Sequence, residues 1–148
     1  DSVTTIGSSA FTRCESLTSV TIGNSVTTIG SSAFGYCGSL TSVTIGNSVA
    51  EIGEYAFSGC MSLATVTIPD SVTKIGDGAF YTCYSLNSVY CKATTPPTLG
   101  VDVFADNAAD RKIYVPMESV EAYTTADGWA DYADSIVGYD FDNGVVVE

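Results

Sequence analysis

The chain has 148 residues, of which 45% are hydrophobic and 15% charged, and its net charge of −12 comes from 17 acidic and five basic residues. This composition suits one secreted domain and argues against a nucleic-acid partner, since phosphate binding needs clustered Lys and Arg. Histidine is absent, which excludes Ser-His and Cys-His nucleophile pairs and the commonest metal ligand, so we predict no enzyme, cofactor or metal.

A 23-residue repeat runs through the first 91 residues without a slip in register. The repeated positions carry the same residue types in four copies, and such a period indicates a stack of coils that bury a shared core. They are Val3, Val26, Val49, Val72; Ile6, Ile29, Ile52, Ile75; Phe11, Phe34, Phe57, Phe80; Cys14, Cys37, Cys60, Cys83; and Leu17, Leu40, Leu63, Leu86.

Each copy predicts the same local structures in chain order. The segment 17–22 alternates with period two, so Val20 and Ile22 are expected to face inward from a short strand of a parallel sheet. A turn at residues 23–25 and a second extended piece at 26–29 follow. Residues 31–37 are long enough for one or two helical turns, with a serine as N-cap and Phe34 inward.

The end of the chain departs from this pattern. Residues 92–116 fit a degenerate fifth coil, in which Asn107 replaces the cysteine. Residues 117–148 are interpreted as a C-terminal cap: apolar positions at three- and four-residue steps predict two short helices up to Ile136. An Asp142-Asn143-Gly144 turn then predicts a hairpin. No apolar run is long enough for a membrane span, and the chain is expected to be a mature fragment.

The unit from Ile68 to Leu86, which contains Ile75-Gly76 and Ala79-Phe80, closely resembles the BspA-like type of leucine-rich repeat. The resemblance implies an α/β solenoid, a right-handed stack of about five coils over residues 1–116 with a cap over 117–148. It also implies a secreted or cell-surface bacterial protein, linked to adhesion and to binding extracellular host proteins, without catalytic residues.

The repeat cysteines are predicted to lie in a row, one to a coil, about 4.8 Å apart. Buried thiols packing as small hydrophobes are favoured; one or two disulfides, or a metal site, are the alternatives, although a row does not converge as zinc requires. Cys91 is expected in the core. Asp140, Asp142 and Asn143 do not match a calcium loop.

Four tyrosines are the candidates for a ligand surface, because exposed aromatic residues are frequent binding anchors. Tyr36, Tyr81 and Tyr84 flank the repeat cysteines, where the copies differ, and Tyr90 interrupts outward ladders of serine and threonine on the strands. We expect a protein partner. A glycan, or a passive spacer role without any ligand, are the alternatives.

Overall fold

The computed structural model describes residues 2–147, and its strands are short and mostly parallel. The strands are β1 Thr5–Ile6, β2 Ser19–Thr21, β3 Thr28–Ile29, β4 Ser42–Thr44, β5 Glu51–Ile52, β6 Thr65–Ile68, β7 Lys74–Ile75, β8 Ser88–Cys91, β9 Thr98–Leu99, β10 Lys112–Pro116, β11 Ile136–Asp140 and β12 Val145–Val147. One α-helix, α1 Val120–Thr125, lies between two 3-10 segments, Met117–Ser119 and Trp129–Ser135.

The strands form two sides of a coil stack, as predicted. The back sheet has the order β1-β3-β5-β7-β9. The other side, here called the front face, consists of the pair β2-β4 and the five-stranded sheet β12-β11-β10-β8-β6. Equivalent residues of successive coils pair directly, for example Thr5 with Thr28 and Val20 with Val43. The predicted 23-residue register is therefore confirmed.

The third side is a ridge of tight turns instead of the helical turns expected at residues 31–37 and their equivalents. Ser32 and Tyr36 have φ values of 55° and 59°, and a left-handed residue at every fourth position cannot belong to a right-handed helix. Alternate amides instead donate to the next coil: Phe34 N lies 2.8 Å from Ala56 O. The segment thus satisfies its backbone between coils. We call it the turn ridge.

The core is a set of stacked columns between these sides. Phe34, Phe57 and Phe80 are buried, and neighbouring rings are parallel with centroids 5.3 Å apart. Phe11 extends the column to the N-terminal end, where it is 46% exposed, and Phe104 extends it into the fifth coil. The phenylalanine column predicted from the repeat is confirmed.

The fifth coil forms the same hydrogen bond to the preceding coil as the regular coils do, but with a different side chain. In the regular coils the cysteine thiol donates to a phenylalanine carbonyl of the preceding coil, as from Cys83 Sγ to Phe57 O at 3.1 Å. Asn107 takes the cysteine position, and its Nδ2 donates to Phe80 O at 2.9 Å. The replacement therefore preserves the hydrogen bond between coils.

The C-terminal segment contributes a sixth strand to the front face. The helices predicted up to Ile136 end at Ser135, and β11 pairs parallel with β10, placing Ile136 beside Ile113 at the repeat spacing. β12 then pairs antiparallel with β11, in the predicted hairpin. The assignment of Ile136 to a helix is wrong, because Ile136 is the first residue of β11, from which its side chain joins the core.

Candidate functional site

The four candidate tyrosines lie on two different sides of the stack. Tyr36 and Tyr84 are 53% and 56% exposed on the turn ridge, where Tyr81 is half-buried. Tyr90 is half-buried on the front face, in β8. In the part of the chain that the structure describes, no ring contact joins the three ridge tyrosines. Tyr90 thus lies on a different side of the stack from Tyr36, Tyr81 and Tyr84, and the four do not form one site.

Two ridge tyrosines also tie one coil to the next. The ring of Tyr36 lies over Gly59, where an added Cβ would come within 2.6 Å of the ring, and Tyr55 lies over Gly78 in the same way. Both glycines also have positive φ, at 74° and 61°. Glycine is therefore favoured at these positions both by the lack of space for a Cβ and by the backbone conformation. Sequence reasoning missed Tyr55, although the glycine 23 residues later was a signal for it.

Four aromatic side chains meet on the front face around Tyr90. Its ring stacks on that of Tyr114, with centroids 4.8 Å apart and an interplanar angle of 17°. Tyr139 packs edgewise against both, at 5.3 and 5.4 Å, and Phe141 lies 4.8 Å from Tyr139. We call Tyr90, Tyr114, Tyr139 and Phe141 the front aromatic cluster. Only Tyr90 was among the predicted site residues.

Strand alternation explains why these rings face away from the core. In β8, Val89 and Cys91 are buried and Tyr90 lies between them on the outer side. Tyr114 pairs with Tyr90 across β10 and β8, and directly opposed aromatic residues in adjacent strands stabilise each other. Partial burial and the neighbouring Tyr139 and Tyr114 raise the pKa of the Tyr90 phenol. The rings of the cluster thus pack against one another on the surface of the sheet.

A groove of about 320 Å³ adjoins the cluster where the front strands end. Its lining includes Tyr139 and Phe141 together with the carboxylates of Asp70, Glu118 and Asp142. All three of these acids are exposed. We call this feature the acidic groove.

Asp140 also lines the acidic groove, but its carboxylate organises the hairpin turn. It accepts hydrogen bonds from the backbone amides of Asp142 and Asn143 at 3.0 and 3.1 Å and from Asn143 Nδ2 at 2.8 Å. The bonds from Asn143 lower the pKa of Asp140. Among residues 2–147, no three His, Cys, Asp or Glu side chains are arranged to hold a metal ion.

The cysteine row is confirmed, with one difference at its first member. Cys37, Cys60, Cys83 and Cys91 are buried, whereas Cys14 is half-buried at the open end of the stack. Burial raises the pKa of Cys60 and Cys91 far above the ordinary thiol value and that of Cys83 to about 12. The buried thiols therefore remain protonated at neutral and moderately alkaline pH.

We expect alkylation to separate Cys14 from the other four cysteines. In native protein at about pH 9, Cys14 should react first, because only the thiolate is the nucleophile and the other thiols are buried. Unfolding without reductant should then release all five for labelling, as intact mass measures. Fewer than five labels after unfolding would instead show disulfides, and rapid native labelling of Cys60 or Cys83 would contradict the buried row.

Residues 1–123 match the family described as BspA type leucine-rich repeat region, with six copies, so the chain belongs to this family. The family consists of interaction or surface modules and is generally non-catalytic. Five parallel strands of the front face, β2, β4, β6, β8 and β10, lie within the matched residues, and β11 follows them. A search of curated proteins finds no match.

Three solved bacterial structures are similar over much of the chain. A leucine-rich cell surface protein of Faecalibacterium prausnitzii is 27% identical, with a TM-score of 0.69 over 88% of this chain and 32% of its own. The leucine-rich repeat protein of T. pallidum is 28% identical, with a TM-score of 0.73 over 92% and 62%. One from Bacteroides capillosus is 42% identical, with a TM-score of 0.56 over 60% and 63%.

These matches support the solenoid fold. The chain spans about a third of the length of the Faecalibacterium protein and less than two thirds of the other two. Within the described residues, no helix has the length and apolarity needed to cross a membrane.

Proposed function

We propose that the chain is a non-catalytic binding module of a bacterial cell surface or secreted protein, which recognises an extracellular or host protein. The observation that carries this proposal is the front aromatic cluster. Aromatic side chains, tyrosine above all, are enriched at protein interfaces because they combine a large apolar area with a polar end. The similarity to a protein described as a cell surface protein supports the location.

The rigidity of the cluster favours it as an interface. Tyr90, Tyr114 and Tyr139 contact one another on strands that are hydrogen-bonded in register. Side chains that are already ordered lose less conformational entropy when a partner binds. The same rings would lose this advantage on a mobile loop.

A glycan is the second candidate ligand. The outward serines and threonines of β2, β4 and β6 continue the front face beyond the cluster, and they offer hydroxyl groups to a sugar. Tyr90 and Tyr114 each cover one face of the other, however, which reduces the ring area on which a sugar can stack. We therefore favour a protein partner.

The test is a binding panel of immobilised extracellular-matrix proteins beside a glycan array, with two matched double variants. Tyr90→Ser/Tyr139→Ser alters the front face, and Tyr81→Ser/Tyr84→Ser alters the turn ridge by the same chemistry. We expect the wild type to bind a protein and the front-face variant to lose at least about tenfold in affinity, or about 1.4 kcal/mol.

Thermal melting of both variants serves as the control for folding, and Tyr139→Leu replaces the double variant if that one melts early. Loss of affinity only in the ridge variant would move the site to Tyr81 and Tyr84. Binding to glycans alone would establish the second candidate. Binding to neither, by a folded wild type, would favour a passive spacer and contradict the proposal.

A further inference from the structure

Acidic side chains outnumber basic ones in the lining of the acidic groove. Among its described lining residues, Lys92 is the one base, against Asp70, Glu118, Asp140 and Asp142. Within residues 2–147 the one ion pair joins Lys74 and Glu51, at 3.8 Å on the back sheet. Among the described residues, no basic side chain lies within ion-pair distance of the carboxylates of Asp70, Glu118 or Asp142.

Aromatic and thioether groups line the same groove as these carboxylates. Tyr139 and Phe141 form part of its wall, and Met117, 51% exposed, lies beside Glu118. Aromatic faces attract ammonium and guanidinium groups through their quadrupole, and a flexible thioether packs well against an aliphatic chain. Carboxylates that bind the charged end complete a surface for a long cationic side chain.

The position of the groove gives it contact with the proposed interface. Phe141 belongs to both features, and its ring centroid lies 6.5 Å from that of Tyr90. A segment bound in the groove would thus continue directly onto the front aromatic cluster. The net charge of −12 for the whole chain attracts a basic partner at long range and speeds the encounter.

We propose that the acidic groove binds a lysine- or arginine-bearing segment of the protein partner, with Glu118 and Asp142 pairing the cationic ends and Phe141 contacting the aliphatic stem. This inference rests on the proposed function, since it names the chemistry of the partner at one end of the same interface. A divalent cation is not favoured, because no three carboxylates converge among the described residues.

The test uses a short oligolysine peptide as the probe and its fully acetylated form as the uncharged control, titrated by calorimetry at about 0.15 M ionic strength, where the Debye length is about 8 Å. The wild-type chain is compared with Glu118→Gln/Asp142→Asn and with Glu15→Gln/Glu54→Gln. The second pair removes the same charge from exposed acids outside the groove. Neither pair removes a buried group, so all three proteins are expected to fold.

We expect the groove variant to bind oligolysine at least about tenfold more weakly and the control variant to change less than about twofold, because exposed distant charges are screened. Phe141→Leu should also weaken binding. Equal losses in both charge variants, or equal binding of the acetylated peptide, would overturn the proposal.

The same variants separate this inference from the proposed function. A protein from the panel that depends on Tyr90 and Tyr139, but binds the Glu118→Gln/Asp142→Asn variant normally, would overturn the basic-segment proposal alone. Specific oligolysine binding in the groove without any partner in the panel would leave the groove established and contradict the wider function.

Discussion

Phe57→Ala is expected to lower the free energy of unfolding by about 3–5 kcal/mol, through lost transfer energy and the cavity left behind. The ring is fully buried, and it stacks on Phe34 and Phe80 with both centroids at 5.3 Å. In a solenoid each coil is stabilised mainly by its neighbours. A gap at the central coil therefore weakens two interfaces at once.

The chain supplies its own matched control for this substitution. Phe11 occupies the same column but is 46% exposed, and among the described residues its ring stacks on that of Phe34 alone. Phe11→Ala should consequently cost clearly less than Phe57→Ala in urea unfolding monitored by circular dichroism. Equal losses of unfolding free energy from the two substitutions would show that burial within the column does not determine the contribution of a ring, and would contradict this prediction.

Trp129→Ala is the second substitution with a large expected effect, again about 3–5 kcal/mol. The indole is fully buried, lies 4.9 Å from Tyr123 and 5.9 Å from Phe104, and donates from Nε1 to Pro97 O at 2.8 Å. It therefore covers the C-terminal end of the phenylalanine column and holds the segment before β9 in place through Pro97.

Exposure of the Phe104 end should also promote association between molecules, because a contiguous apolar patch is a docking surface. Sedimentation velocity beside urea unfolding measures both effects. Trp129→Phe is the control: it keeps most of the ring area but leaves the Pro97 carbonyl without its donor, at a cost of about 1–3 kcal/mol. A Trp129→Ala protein that is monomeric and as stable as the wild type would refute this role.

The core was predictable from the sequence because burial selects residue type at every coil. Phe34, Leu40 and Ile29 repeat at a constant spacing, and such repetition reports inward positions directly. The ridge backbone was not predictable in the same way. Ser32 and Tyr36 adopt left-handed φ values without being glycine, and the hydrogen bonds of their amides to the next coil leave no mark in the sequence.

The sixth parallel strand of the front face, β11, escaped prediction because the residues before it differ from the repeat. Trp129 covers the end of the phenylalanine column, and the three-residue steps from Val120 to Tyr123 and from Trp129 to Tyr132 predict helices. The register of Ile136 beside Ile113 becomes evident only in the paired strands. Tyr114, Tyr139 and Phe141 of the front aromatic cluster were missed because they lie in β10, β11 and the hairpin turn, outside the four regular copies.

Hydrogen–deuterium exchange on the complex with the partner found in the binding panel tests most directly whether the front face is the recognition surface. We predict slower exchange on binding at residues 88–92, 112–116 and 136–142, with residues 31–37 and 77–83 of the turn ridge unchanged. Protection confined to the turn ridge, with the front strands unchanged, would contradict the account.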